Sequence, residues 1–249
     1  MLTPQQLATY HEQGFVIPDF RLPAATLQSI KDDFARLLTR YPEFRQNCGA
    51  LLTYDTTFLN YARNPDILDM IVQILGDDVA IWNSSYFGKP AHDGKRVPWH
   101  QDGEYWPIRP LANCSVWIAI DDSTVENGCL RVIPASHKAR QLFKHERNPS
   151  DDLILPLELQ KSEFDESTAV DVVLEAGQIS LHDVFLVHGS EPNTSGKPRR
   201  GMTLRFFPTT SVFDREIEGD NLPHTLFLMR GTDRSKQNDF VVKPLPANR

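Results

Sequence analysis

Cysteine is scarce in this chain of 249 residues, with three in all. Cys48, Cys114 and Cys129 form no close pair, which argues against a disulfide framework and a cysteine zinc site and suits a reducing compartment. Positive charge is also in deficit. The 26 Lys and Arg stand against 33 Asp and Glu, for a net charge of −7, the wrong sign for nucleic acid or an anionic membrane as main partner. No apolar run approaches the length of a membrane span. Met1 to Gln6 lack a basic stretch leading into an apolar run, so no signal peptide is expected. Internal repeats and low-complexity tracts are missing as well. These absences leave a soluble, cytoplasmic protein as the expectation.

What is present is ordered by region. Thr3-Pro4 reads as the cap and first residue of a short helix ended by Gly14. A longer helix is expected from about Pro23 to Arg40, where Leu27, Ile30, Phe34, Leu37 and Leu38 recur at three- and four-residue steps. A third, opening at Pro65 and stopping at Gly76, carries Ile67, Leu68, Ile71, Val72 and Leu75. From Val79 the period changes. Val79–Phe87, Trp99–Tyr105, Ser115–Asp121, Cys129–Ile133, Val170–Leu174, Gln178–His182 and Gly201–Phe207 read as strands, with Phe240–Val242 a weak last one. Short strands broken by Gly, Pro, Asn and Asp turns indicate an all-β sandwich or jelly roll. The expected fold is one mainly β domain over 1–249, a jelly roll with N-terminal helices packed on one face. Lys138 to Thr168, a charged connection of about thirty residues, has the apolar anchors Leu142, Phe143, Leu153, Ile154, Leu155, Leu157 and Phe164 and reads as an ordered, lid-like insert.

Chemistry concentrates in Trp99-His100-Gln101-Asp102-Gly103-Glu104-Tyr105-Trp106. An imidazole and a carboxylate two residues apart on an extended strand share a face, with Gln101 pointing away. Alone this spacing is weak, and a hydrogen-bonded surface pair satisfies it equally. A later histidine on another strand would complete two imidazoles and one carboxylate, the set that leaves open positions on non-heme Fe(II). Both His188, in Val187-His188-Gly189-Ser190, and His182, on a strand-like run before Asp183, compete for that place. His11, His92, His137, His145 and His224 fall in helices, loops or turns and read as ordinary.

His100-Gln101-Asp102, Trp117, the run Glu126-Asn127-Gly128-Cys129-Leu130-Arg131-Val132-Ile133-Pro134-Ala135-Ser136-His137, and His188-Gly189-Ser190 leading to Pro198-Arg199 together resemble the phytanoyl-CoA dioxygenase family. The resemblance runs from about Val16 to Phe207. It implies a double-stranded β-helix, cupin-like in form, that binds Fe(II), 2-oxoglutarate and O2, with ascorbate as a supporting reductant. It favours His188 as the third ligand, with Arg199 eleven residues beyond it for the distal carboxylate of 2-oxoglutarate, where an arginine fork suits a carboxylate. His182 becomes a supporting or packing residue, and Arg200 remains the rival of Arg199. Ser190, Trp117 and, more loosely, Asn83 join the cosubstrate pocket by the same resemblance. Halogenating relatives lack the carboxylate, so Asp102 favours hydroxylation or another oxidation over halogenation; the resemblance implies hydroxylation of an aliphatic C–H, with 2-oxoglutarate going to succinate and CO2.

Glu104, Tyr105 and Trp106 follow the metal motif, and ring faces beside an acid can cradle an amine. Aromatic packing beside a solvated acid explains them as well. Strand alternation puts Arg205 on the face of Arg199, where it could meet substrate or simply pack. The mixed charge points to a small polar metabolite of amino acid, amine or aminophosphonate type. The alternatives are an acyl-CoA or lipid hydroxylase, a non-catalytic jelly-roll binding protein, and a zinc hydrolase that would not need Arg199. Nothing in the sequence assigns an oligomeric state.

Overall fold

The computed structural model describes residues 1–217 and 224–241. Helix α1 (Pro4–Gln13) opens on a reciprocal cap: the Gln6 N–H donates to the Thr3 hydroxyl, and the Thr3 N–H donates to the Gln6 side chain. Gly14 closes it at φ 82°, a left-handed conformation, with its N–H donating to the Tyr10 carbonyl. Helix α2 (Ala24–Arg40) buries Ile30, Phe34 and Leu37. Helix α3 (Pro65–Leu75) is capped by the Asn64 side chain and stops at Gly76. Two helices of four residues each, Leu51–Tyr54 and Leu59–Ala62, are too short to show a period and were not expected.

Ten strands then position the site: β1 (Phe15–Val16), β2 (Val79–Lys89), β3 (Val97–His100), β4 (Cys114–Ala119), β5 (Leu130–Val132), β6 (Val170–Val172), β7 (Ile179–Asp183), β8 (His188–Ser190), β9 (Arg199–Pro208) and β10 (Phe227–Arg230). One antiparallel sheet has the order β1-β7-β4-β9-β2-β10, with Asn47–Cys48 also pairing on β2; the other has the order β6-β5-β8-β3. From β2 to β9 the chain winds between them, with β2, β4, β7 and β9 in the first sheet and β3, β5, β6 and β8 in the second. This is the expected jelly roll.

Alternation along the strands divides the core. Val116, Ile118, Leu181, Met202, Leu204 and Phe206 face outward into one apolar cluster with Ile30, Phe34, Ile67 and Ile71, so the helices cover the back of the first sheet. Each such side chain contributes about 1.5–3 kcal/mol by leaving water. Trp117 and Ala119 face inward, against Val132 and Val172 of the second sheet. Between Arg205 and Phe206 the register on β2 jumps from Asn83 to Ile81. This bulge leaves Trp82 out of the ladder, and both Trp82 and Asn83 reach the interior cavity.

Two expectations need correction. The strand expected over Trp99–Tyr105 ends at His100, and Asp102 opens a single 3-10 turn, Asp102–Glu104. Gly103 donates its N–H to the Val184 carbonyl across the barrel, which pulls the chain out of the ladder. The weak strand at Phe240–Val242 is also absent at Phe240 and Val241, and Val242 lies outside the described residues. The last strand paired on β2 is instead β10, which sequence reading missed.

The 138–168 segment carries a hairpin, His145–Arg147 paired with Leu157–Leu159. Its base is fastened to the metal-motif strand through Gln101, fully buried and pointing away from the cavity. That side chain accepts from the Phe143 N–H at 2.7 Å and donates to the carbonyls of Gln141 and Phe185. Among the described residues no helix is long and apolar enough to cross a membrane.

Candidate active site

His100 ends β3, His188 begins β8, and the two are direct partners in the ladder between these strands. Pairing places both side chains on one face, and their ring centroids lie 4.2 Å apart. Each ring is fixed by its own backbone: His100 Nδ1 lies 2.8 Å from the Pro98 carbonyl and His188 Nδ1 lies 2.9 Å from the Leu186 carbonyl. Those contacts put the proton on Nδ1 and leave both Nε2 atoms as donors for a metal. The turn after β3 brings in Asp102, whose Oδ1 stands 3.6 Å from His100 Nε2 and 3.8 Å from His188 Nε2. The three ligand atoms lie within 4.8 Å of one another, and all three residues are buried.

The other Asp102 oxygen is held from behind. Ser115 donates its hydroxyl to Oδ2 at 3.2 Å, and His182 Nε2 lies 3.4 Å from the same atom. His182, the competitor of His188 in the sequence, thus supports the carboxylate from outside the ligand trio. Burial works against ionised Asp102, but the imidazoles of His100 and His182 beside it prevail and hold its carboxyl well below the ordinary range. Burial, with His100 beside it, pulls His188 down to about 3. A carboxylate and a neutral imidazole are the forms in which these groups bind Fe(II), so this set fits the metal.

A cavity of about 680 Å³ opens from this trio and is lined by every site residue expected from the sequence. Arg199, 3 % exposed, donates from Nη2 to the Gly128 carbonyl at 2.7 Å, and its guanidinium lies 5.5 Å from the Trp117 ring centre. Among the described residues, its Nε and the Ser190 hydroxyl are buried without a hydrogen-bond partner. Donors left open in this way suit an incoming carboxylate. Arg200 points to the other face and clasps Asp121 with two hydrogen bonds of 2.7 Å. Asn83 donates to the Gly49 carbonyl at 2.8 Å.

On the far side of the metal trio, Trp106 lies edge-on to Trp82 with centroids 5.3 Å apart, and the Arg205 guanidinium sits 5.2 Å from the Trp106 ring centre. Arg205 also donates to the Ser85 hydroxyl. Tyr105 packs edge-on to His100 and donates its hydroxyl to the Leu157 carbonyl of the hairpin at 3.1 Å. Partial burial raises the Glu104 carboxyl.

Sequence reading missed several members of this wall. Arg147, Ile154, Leu155 and Pro156 of the 138–168 segment line the cavity, as does Lys89 at the end of β2. Alternation from Ser85 through Phe87 to Lys89 was the available signal for the lysine. His145, read as ordinary, is no ligand. It accepts the Gln101 N–H at 3.1 Å and so ties the hairpin to the strand of His100.

The model of the phytanoyl-CoA dioxygenase (PhyH) family matches residues 10–201. A phytanoyl-CoA dioxygenase domain-containing protein 1 homolog of Dictyostelium discoideum is 33% identical over 175 residues, covering 69% of this chain and 58% of that protein. A probable alpha-ketoglutarate-dependent hypophosphite dioxygenase of Stutzerimonas stutzeri is 28% identical over 148 residues, covering 58% of this chain and 50% of that protein. The matches thus span little more than half the length of these curated relatives. Among solved structures, the non-heme monooxygenase ThoJ in its apo form superposes with a TM-score of 0.76 at 24% identity, over 97% of this chain and 88% of that one. It shares the fold. With the family model matched over most of its length and the two-histidine, one-carboxylate trio in place, this chain belongs to the phytanoyl-CoA dioxygenase family.

Proposed function

We propose that the chain is an Fe(II)- and 2-oxoglutarate-dependent dioxygenase that hydroxylates an aliphatic C–H of a small polar metabolite of amino acid, amine or aminophosphonate type. One observation carries this reading: His100, Asp102 and His188 converge in the same cavity as a buried Arg199 whose one hydrogen bond goes to a backbone carbonyl. A hydrolytic metal site has no use for that arginine, and a binding protein without metal chemistry has no use for the trio. When bound, Fe(II) with 2-oxoglutarate and O2 would supply the oxidising chemistry, one oxygen atom going to the substrate and the other to succinate as CO2 leaves.

The residues of the chain bind, orient and exclude water. Arg199, Ser190 and Trp117 hold the distal carboxylate of 2-oxoglutarate, with Asn83 on the neighbouring wall. Asp102 fills the position that an ion such as chloride would need, which favours hydroxylation over halogenation. Glu104, Tyr105, Trp106 and Arg205 receive the substrate, the acid facing an amine and the arginine an acidic group. The 138–168 segment serves as a lid, since its hairpin forms one wall of the cavity. The same reading places the protein in the cytoplasm, supported by three buried free cysteines.

Succinate release over a broad metabolite panel with iron, ascorbate and oxygen tests the proposal. Anaerobic addition of Fe(II) and 2-oxoglutarate should give a weak visible charge-transfer band, and its absence from folded protein would overturn the reaction class. The apolar flank of Ile154, Leu155 and Leu157 favours a second reading of the substrate, an acyl-CoA or lipid. Turnover confined to acyl thioesters would put that reading in first place.

A further inference from the structure

Lys89 is 1 % exposed and ranks among the largest fully buried side chains. It is the direct partner of Arg199 across the β2–β9 ladder. Side chains of directly opposed residues leave the sheet on the same face, so ammonium and guanidinium enter the same end of the cavity. The Lys89 ammonium donates to the carbonyls of Ser190, at 3.3 Å, and Glu191. Arg199 donates to the carbonyl of Gly128, and a Cβ on that glycine would stand 3.1 Å from Lys89 Nζ. The two cations therefore close on the same residue from two sides. Among the described residues neither forms an ion pair, and their hydrogen bonds run only to backbone carbonyls.

Two adjacent buried cations without a counter-ion are costly to keep. Carbonyl dipoles offset part of that cost, and the remainder makes Lys89 give up its proton readily. An arriving carboxylate would hold a proton on Lys89 and gain from both groups. A ligand of the same length without that carboxylate would gain from neither.

We infer that Lys89 is a specificity-determining residue of the cosubstrate site, which with Arg199 forms a two-cation corner selecting 2-oxo acids that carry a distal carboxylate. The inference rests on the proposed use of 2-oxoglutarate. Burial, with Arg199 beside it, pulls the Lys89 ammonium down to about 6, in keeping with a corner that waits for an anion.

The test is anaerobic calorimetric binding of 2-oxoglutarate and of 2-oxopentanoate, its chain-length match without the distal carboxylate, to Fe(II)-loaded protein. Wild type, Lys89→Gln and Lys89→Met are compared. Glutamine keeps N–H donors without the charge, while methionine keeps only the volume. The expected result is that both variants weaken 2-oxoglutarate by about tenfold or more, the scale of one charge-assisted hydrogen bond, and leave 2-oxopentanoate within about twofold. Equal weakening of the two ligands would mean that Lys89 only braces the backbone after His188, and would overturn the inference. So would unchanged 2-oxoglutarate binding in both variants. Failure of wild type to bind 2-oxoglutarate would strike down the functional reading itself, and this inference with it.

Should neither variant fold, wild type alone decides. Lys89 is faced by Arg199 from β9, Arg96 before β3, Glu191 after β8 and Cys129 before β5. At pH 7.5, binding in buffers of different ionisation enthalpy should show more proton uptake with 2-oxoglutarate than with 2-oxopentanoate. Equal uptake overturns the inference.

Discussion

His182 Nε2 lies 3.4 Å from Asp102 Oδ2, the carboxylate oxygen turned away from His100 and His188. Since Ser115 donates to that same oxygen at 3.2 Å, the carboxylate is gripped at one end and free at the other. Such outer partners set ligand orientation, and losing one costs about 10–100-fold in metal affinity. His182→Phe is expected to weaken Fe(II) binding by about that factor with the three ligands intact. Anaerobic metal titration checks it, and unchanged affinity would reduce His182 to a packing residue.

Arg199 and Arg200 separate cleanly in the structure. Arg199→Met is expected to raise the 2-oxoglutarate requirement by about tenfold to a hundredfold, the loss of a charge-assisted fork. Arg200→Met breaks its paired hydrogen bonds with Asp121. It should leave that requirement within about twofold and cost up to about 1 kcal/mol of stability. Titrating both variants by thermal shift with 2-oxoglutarate distinguishes the two arginines. The reverse pattern would move the anchor to Arg200.

The metal trio was legible because a metal demands particular residue types, and the resemblance chose between His182 and His188. The chain's own pattern could not make that choice, since both histidines lie on strands and both reach Asp102. The shared face of His100 and Asp102 was inferred from strand alternation, whereas the structure achieves it with a turn that begins at Asp102. Lys89 was hidden by its setting, because a lysine between Gly88 and Pro90 reads as a solvated strand end. The short helices Leu51–Tyr54 and Leu59–Ala62 and strand β10 have no periodicity to read, being held by packing on β2 and the major-sheet cluster. Hairpin residues such as Arg147 and Pro156 come to the cavity through the Gln101 and Tyr105 hydrogen bonds, long-range contacts that no local pattern encodes.

Gly201 sits directly beneath Trp117, and a Cβ there would overlap the indole. Gly201→Ala is expected to push Trp117 out from beneath Arg199. Overpacking of this kind costs about 1–3 kcal/mol, and 2-oxoglutarate affinity should fall with it. Denaturant midpoints and ligand-induced thermal shifts read the two effects separately. A variant of wild-type stability and affinity would show that the ring yields without consequence.

The hairpin is held over the cavity by the Tyr105 hydroxyl on the Leu157 carbonyl and by Arg96 on Glu158 at 2.6 Å. Tyr105→Phe removes one hydrogen bond, worth about 1 kcal/mol. Amide exchange across 145–159 is expected to quicken by about fivefold, with Fe(II) affinity unchanged. Unaltered exchange would mean that the hydroxyl does not latch this segment.

Acid should destabilise the metal-free protein through His188. As pH falls below the ordinary histidine value of 6.5, the unfolded chain takes up a proton at this residue, while the folded chain, with the ring buried beside His100, does so only near 3. Between those limits the unfolded state holds more protons, so stability falls as pH falls, by up to about 1.4 kcal/mol per unit. Asp102, held well below its ordinary range, adds a loss of the same sign further into acid. His188→Gln, which cannot take the proton, is expected to flatten the decline between pH 6 and pH 4.5. Urea denaturation of wild type and variant without metal at the two pH values provides the comparison. Parallel declines in the two proteins would place the acid sensitivity in other groups and remove His188 as its source.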